Sequence, residues 1–223
     1  MRITRLVAGT VTAGLLGLTP IAIAAPSQAT ENLTTTTTAT PSETTLEYGD
    51  EINIAVEVVG SDGNSVIDGT STLMAMEAGS TTWVPVATGT YPGSDFYPVK
   101  PKMNTTYKVV YTGYTATTAY EDTYTPSESA AFTVGVARKI THPSSGFVIK
   151  GKVKPNYSKK KIVIKVSKKK NKGFKKFKTI KTNKAGKYKV TLPRRGGTWY
   201  WSFTVKGDSK YLANGFLWRT WVS

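Results

Sequence analysis

The sequence predicts an all-β chain that forms two β-sandwich domains in tandem. Three observations favour this fold class: Thr, Val and Tyr are abundant, apolar and polar residues alternate over short segments, and turn-forming residues separate those segments. The chain has 223 residues, of which 39% are hydrophobic. This is enough to form the packed cores of two domains of about 100 residues each.

The N-terminal segment 1–29 has the pattern of a secretory signal peptide. Arg2 and Arg5 precede an apolar stretch that ends in small residues, which is the order found in signal peptides. We expect cleavage near Ala24 or Ala29, and a mature chain that is secreted, extracellular or associated with the cell wall, and not membrane-spanning. The alternative is an uncleaved membrane anchor, which Pro20 disfavours.

Residues 30–45 contain a run of five threonines and few apolar side chains. Such a segment cannot build a core of its own, so we expect a flexible Thr-rich spacer. The alternative is an edge strand that lies on the first domain, because Thr has a high strand propensity.

The first domain is predicted over residues 46–136. Apolar residues alternate with polar ones from Ile52 to Val58, as in a half-buried strand, and the turn residues 61–64 follow. The further strands expected in this domain are 73–77, 83–87, 99–103, 106–111 and 131–136.

The second domain is predicted over residues 137–223. Its expected strands are 147–153, 162–166, 174–182, 187–192, 199–205 and 217–222, with a charged hairpin tip at 168–172 and a turn at 183–186. Trp199, Trp201 and Phe203 share one face of a strand and are expected in the core, which leaves Tyr200 for an exposed contact. Trp218 and Trp221 lie on opposite faces of their strand, so one of them should be exposed.

The two halves also share a pattern that indicates duplication. Tyr107 follows Trp83 at nearly the same spacing at which Trp199 follows Phe174, and the segments around Tyr107 and Trp199 are similar. Coincidence between aromatic strands is the alternative.

Several segments together resemble a known family. The first-domain segments 47–50, 106–113 and 131–136, with the Lys-rich second half around Gly173, 186–188 and 198–201, are similar to the bacterial immunoglobulin-like repeats of secreted Gram-positive proteins. The resemblance implies two tandem immunoglobulin-like β-sandwich domains after a cleaved signal peptide. It also implies an extracellular binding, adhesive or spacer role without catalytic residues. The cysteine pair of antibody domains is missing.

The two predicted domains differ strongly in charge. Residues 137–223 contain 25 Lys and Arg against one acidic residue, a net charge of +24, whereas residues 30–136 contain three Lys against 13 Asp and Glu, a net charge of −10. Self-repulsion of this size destabilises a compact domain, so solubility alone is a poor explanation for it.

The basic side chains predict a site for an anionic polymer on the second domain. Lysine is a hydrated point charge that suits a fluctuating polyanion better than bidentate recognition. The expected partner is an anionic cell-wall polymer such as teichoic acid, an acidic polysaccharide or extracellular DNA. The alternative is a structural or adhesive spacer whose charge serves solubility only. The predicted site residues are Lys159, Lys160, Lys161, Lys168, Lys169, Lys170, Lys172, Lys175, Lys176, Lys178, Lys181, Arg194, Arg195 and Tyr200.

Residues for catalysis or metal binding are scarce. The chain has no Cys and one His, His142, which we assign to the linker between the domains, so neither a Cys-His dyad nor a His-based zinc site can form. Neighbouring carboxylates such as Asp50 and Glu51 point to opposite faces of a strand. Asp62, Asn64 and Asp68 suit a turn better than a calcium loop. We therefore expect a non-enzymatic protein without a metal, cofactor or small-molecule substrate; an enzyme that uses first-domain carboxylates is the third hypothesis.

Overall fold

A computed structural model describes residues 30–223, so the predicted signal peptide lies outside the described residues. No helix long and apolar enough to cross a membrane occurs within that range. The described part of the chain forms 18 strands. They are β1 (Asn32–Leu33), β2 (Thr35–Pro41), β3 (Thr45–Glu47), β4 (Ile52–Gly60), β5 (Ser71–Glu77), β6 (Val84–Thr88), β7 (Phe96–Val99), β8 (Thr105–Tyr111), β9 (Thr123–Tyr124), β10 (Ser127–Glu128), β11 (Phe132–Ala137), β12 (Lys139–Ile140), β13 (Val148–Lys154), β14 (Lys161–Ser167), β15 (Lys175–Lys181), β16 (Lys187–Thr191), β17 (Gly197–Val205) and β18 (Asn214–Val222).

The first domain is a sandwich of two sheets. One sheet has the order β2-β4-β7, and the other has the order β3-β11-β8-β5-β6, with β10 also paired to β8. Apolar residues at alternate positions of β4, β5 and β8 point between the sheets, as the period of a strand requires. Fully buried members of this core are Ile54, Leu73, Val109, Tyr111, Val134 and Val136.

The prediction of a flexible spacer at residues 30–45 is wrong. The Thr-rich segment forms strand β2, which pairs antiparallel with β4 along its whole length, from Thr35 opposite Gly60 to Pro41 opposite Ile54. Thr37 is buried, and its hydroxyl bonds to that of Ser127 at 2.6 Å. The alternative, an edge strand on the first domain, is what the structure shows. Backbone pairing supplies the stability that the side chains of this segment lack.

The second domain is a second sandwich. Its sheets have the orders β12-β13-β16 and β15-β14-β17-β18. Trp201, Phe203 and Val205 on β17 are buried, as predicted, whereas Trp199 is half-buried. The ring of Phe177 packs edge-on against Trp201, with 5.1 Å between the ring centroids.

The two domains share the order of seven strands, and β3 and β10 of the first have no counterpart in the second. The strands β11-β8-β5-β6 of the first correspond in chain order and pairing to β18-β17-β14-β15 of the second, and β2-β4-β7 corresponds to β12-β13-β16. Trp83 and Phe174 each directly precede the outermost strand of the larger sheet, β6 and β15, and Tyr107 and Trp199 lie on the equivalent strands β8 and β17. The aromatic spacing seen in the sequence thus follows a repeated topology.

A single residue, Arg138, separates the last strand of the first domain from the first strand of the second. It is only 2% exposed. Its guanidinium donates from Nη2 to Asp208 at 2.7 Å and from Nε to the carbonyl of Pro155 at 3.1 Å, and it lies 4.2 Å from the ring centre of Tyr211. The junction is therefore a packed cluster.

The loop between β17 and β18 joins the two domains more closely. Tyr211 in this loop is 6% exposed and belongs to the hydrophobic core of the first domain. The amide of Leu212 donates to the carbonyl of Val136 at 2.9 Å, and the amide of Asn104 donates to the carbonyl of Lys210 at 2.9 Å. The first domain thus takes part of its core from the second half of the chain.

Candidate polyanion-binding surface

Lysines of the second domain face each other across neighbouring strands. In the first sheet the cross-strand partners are Lys139 and Lys154, Lys150 and Lys189, and Lys152 and Lys187; in the second they are Lys161 and Lys181, and Lys165 and Lys176. Directly opposite residues in an antiparallel pair have Cβ atoms about 5 Å apart, and like charges there cost roughly 0.2–1 kcal/mol per pair. We call these five pairs the lysine pairs.

The alternation of the strands causes this arrangement. On β13 and β16 the residues Ile149, Val153, Tyr188 and Val190 are buried at alternate positions. The lysines between them must therefore point away from the core, on the outer face of the sheet. The same alternation of residues therefore produces both the buried core and the outward-pointing lysine pairs.

The domain contains few charges of opposite sign. Asp208, its one acidic residue, accepts from Arg138 at 2.7 Å and from Lys160 at 3.0 Å. Burial raises the pKa of Asp208, but the hydrogen bonds from Lys160 and Arg138 outweigh this and lower its pKa to about 2. Lys139 also lies 3.6 Å from Asp50 of the first domain. Within residues 30–223, the other second-domain lysines and arginines form no ion pair, so their positive charge remains available to an anion.

A second group of basic residues lies at one end of the second domain, formed by residues 168–173 and 193–197. Arg195 lies over the rings of Trp199 and Trp201 at 4.6 and 5.4 Å, and Lys168 lies 5.3 Å from the ring centre of Trp199. Arg194 lies over Phe147 at 5.2 Å. Cation–π contacts of this kind hold a charged group in place without neutralising it. We call this group the basic tip.

The predicted site residues do not all lie on one face of the second domain. Lys161, Lys176, Lys181 and Tyr200 lie on the outer face of the β15-β14-β17-β18 sheet, as the pairing register shows. Residues assigned to the basic tip and the start of β15 are Lys168, Lys169, Lys170, Lys172, Lys175, Arg194 and Arg195. Lys178 lies opposite buried Ile164, beside the register shift that separates it from Lys176.

Lys159 and Lys160 precede β14 at the opposite end of the domain, where Lys160 pairs with Asp208. The seven residues of β14 separate this end from the basic tip by about 20 Å. The predicted residues thus divide between the sheet face, the tip and the interdomain end.

Sequence reasoning left several functional candidates out of the predicted site. They are Lys150, Lys152, Lys165, Lys187, Lys189, Arg219 and Trp221. The alternation in residues 148–154 and 187–191 already indicates which of the lysines point outward. Trp221 is 65% exposed and Trp218 only 5%, which confirms the expectation that one of the two is exposed.

Several carboxylates of the first domain make local contacts. Glu51 pairs with Lys100 at 2.9 Å, and Asp62 accepts from the amide of Asn64 at 3.1 Å, as a turn requires. Hydrogen bonds from the backbone of Thr117 and the hydroxyl of Tyr114 lower the pKa of Glu121 to about 2. No cluster of three or more His, Asp or Glu that could hold a metal ion occurs among residues 30–223.

His142 lies elsewhere than predicted. It belongs to the loop between β12 and β13 inside the second domain, and its ring stacks on Phe216 at 4.2 Å. The linker position between the domains is taken by Arg138 instead.

The detectable similarities of the chain to known proteins are similarities of fold. No protein-family model matches the chain, and no curated protein matches it. Among solved structures, the chain is similar to the human OSCAR ligand-binding domain, at 10% identity over 85% of this chain and 98% of that one, with a TM-score of 0.26. It is also similar to the chicken CNTN1 FN1-FN3 domains, at 13% identity over 84% of this chain and 65% of that one, with a TM-score of 0.30. Likenesses this distant identify no ligand. The strand pairing itself establishes two tandem immunoglobulin-like sandwiches.

Proposed function

We propose that the protein acts outside the cell as a non-catalytic binding protein, and that its second domain binds an anionic polymer of the cell wall or cell surface. The single observation that carries this proposal is the set of five lysine pairs. A protein that needs charge only for solubility can distribute lysines over non-adjacent positions. Here the lysines lie directly opposite each other, with their Cβ atoms about 5 Å apart, and like charges in such positions destabilise the pairing.

An anionic polymer relieves this repulsion. A chain of phosphates, sulfates or carboxylates that lies along a sheet face places negative charge between paired lysines and releases its own counterions. Such binding depends on charge density and weakens steeply with salt. The acidic first domain repels the same ligand, which supports binding to the second domain.

The test compares two triple variants of the chain 30–223 that have the same net charge. Lys150, Lys161 and Lys165 each belong to a different lysine pair, whereas Lys184, Lys206 and Lys210 are exposed and belong to none. All six are replaced by Gln, three in each variant. The whole chain is used because Tyr211 packs in the core of the first domain.

Affinity for heparin and for inorganic polyphosphate is measured by titration calorimetry across a salt series. We expect the K150Q/K161Q/K165Q variant to bind both polymers at least tenfold more weakly than the K184Q/K206Q/K210Q control, with a shallower salt dependence. Equal losses in the two variants, or binding that does not respond to salt, would assign the charge to solubility and favour the structural or adhesive spacer.

A further inference from the structure

The outer face of the β15-β14-β17-β18 sheet carries two exposed apolar side chains beside its cations. Trp221 is 65% exposed and Leu217 42% exposed, both on the edge strand β18. The register places Trp221 opposite Thr198 and Leu217 opposite Ser202. Because residues two apart on a strand share a face, Arg219 lies between Leu217 and Trp221 on this outer face.

The cations continue across the sheet from this point. Arg219 lies opposite Tyr200, whose side chain is half-buried. Ser202 lies opposite Leu217 on one side and Lys165 on the other, and Lys165 in turn lies opposite Lys176. This row therefore crosses all four strands over about 14 Å, from an apolar side chain on β18, through a hydroxyl on β17, to two lysines on β14 and β15. We call this surface the aromatic–basic face.

The middle of the aromatic–basic face is lined by hydroxyl groups. Thr198, Ser202 and Thr204 occupy its outward positions on β17. Within the described part of the chain, none of their hydroxyls makes a hydrogen bond to the protein, in contrast to the paired hydroxyls of Thr106 and Thr133 on the first domain. They remain able to donate to or accept from a ligand.

We propose that the aromatic–basic face binds an acidic polysaccharide, with sugar rings packed on Trp221 and Tyr200. This inference rests on the proposed function and narrows its ligand from any polyanion to a polymer of charged sugar rings. The C–H-rich face of a pyranose ring suits an exposed indole, because both surfaces are flat and apolar. The guanidinium of Arg219 offers two parallel donors to a carboxylate or sulfate, and the β17 hydroxyls match those of a sugar.

The aromatic–basic face is less suited to the other anionic polymers. A polyol phosphate chain without rings has no flat surface to set against Trp221. Duplex DNA keeps its bases stacked inside the helix, so it presents only phosphates to such a face. Single-stranded nucleic acid offers rings as well, and the test below includes it.

The test uses the chain 30–223 with Trp221→Ala and a matched control, Tyr120→Ala, which removes a more exposed aromatic ring from the first domain. Three probes separate ring stacking from charge: polygalacturonate, inorganic polyphosphate and a single-stranded DNA oligomer. We expect Trp221→Ala to weaken polygalacturonate binding about tenfold, the scale of one ring stacked on an aromatic side chain. Polyphosphate binding should change by less than about twofold, since its charge contacts remain.

The control variant should bind all three probes as the unaltered chain does, and Trp221→Phe should recover most of the polygalacturonate affinity. An equal loss for polygalacturonate and polyphosphate, or no loss for polygalacturonate, overturns the inference. A larger loss for single-stranded DNA than for polygalacturonate also overturns it and assigns the face to nucleic acid. If the unaltered chain binds no polyanion at all, the proposed function itself fails, which the lysine variants report independently.

Discussion

The two domains share their main strand order but have net charges of opposite sign. The residues on the outer faces of their sheets carry this difference. In the first domain, neighbouring strands carry complementary partners: Lys108 pairs with Glu128 at 2.6 Å, and the hydroxyls of Thr106 and Thr133 bond at 3.0 Å. In the second domain, by contrast, neighbouring strands carry the lysine pairs. The buried residues at alternate positions determine the fold. The outward-facing residues can change to ones that suit a ligand, at a cost in stability.

The largest loss of stability should come from a cavity in the core of the second domain. Trp201 is fully buried at its centre. We expect Trp201→Ala to destabilise this domain by about 3–5 kcal/mol, because a cavity of this size cannot close. Differential scanning calorimetry should show the loss in the transition of the second domain. An unchanged melting curve would contradict the assignment of this residue to the core.

A substitution in the second half of the chain should destabilise the first domain. Tyr211 lies in the first-domain core and contacts Arg138. We expect Tyr211→Ala to cost about 2–4 kcal/mol of first-domain stability, from lost packing and the lost cation–π contact. Hydrogen exchange of β8 and β11 amides would report it. Tyr211→Phe keeps the ring and serves as the control; a loss confined to the second domain would show that the loop does not complete the first core.

Lysine substitution should change the stability of the two domains in opposite directions. At low salt, K150Q/K161Q/K165Q should stabilise the second domain by about 0.2–1 kcal/mol for each relieved pair. Lys108→Gln should destabilise the first domain by up to about 1 kcal/mol, because it removes an attractive partner of Glu128. Urea unfolding with and without 0.5 M salt measures both, and salt should shrink both effects. Destabilisation by the triple variant would mean that the lysine pairs are not repulsive.

The smallest expected effect is on the free energy of unfolding at low pH. Asp208 has its folded pKa lowered to about 2, below its unfolded value, so its contribution to stability is present above about pH 4 and is lost as the pH falls towards 2. Asp208 lies at the domain junction. We expect Asp208→Asn to weaken the dependence of the free energy of unfolding on pH in this range. Glu121→Gln should flatten the same range for the first domain, since the pKa of Glu121 is also about 2. Urea midpoints between pH 5 and 2 measure both. Parallel curves for variant and unaltered chain would exclude these groups as the acid-sensitive contacts.

Much of the fold could be predicted from the alternation of apolar and polar residues, which is visible directly in β4, β8, β14 and β17. Strand β2 was predicted only as an alternative, from the strand propensity of Thr, because a run of threonines has no alternation and its stability comes from backbone pairing with β4. The lysine runs indicated a basic domain. The identity of the lysine pairs depends on register, including the shift between Ile164 and Lys165, which no local pattern reveals. Tyr211 was also missed, because its partners lie in the other domain.

The position of Tyr211 has a consequence for the order in which the chain matures. A ribosome makes the first domain before the second, and domains made this way generally fold in turn. Here the first sandwich lacks one of its core side chains until residue 211 has been made, 74 residues (211 − 137) after its last strand ends at Ala137. The nascent first domain therefore stays incomplete until all but the last strand of the second domain, β18, has been made. The first domain is therefore expected to reach its full stability only together with the second, although it is made first.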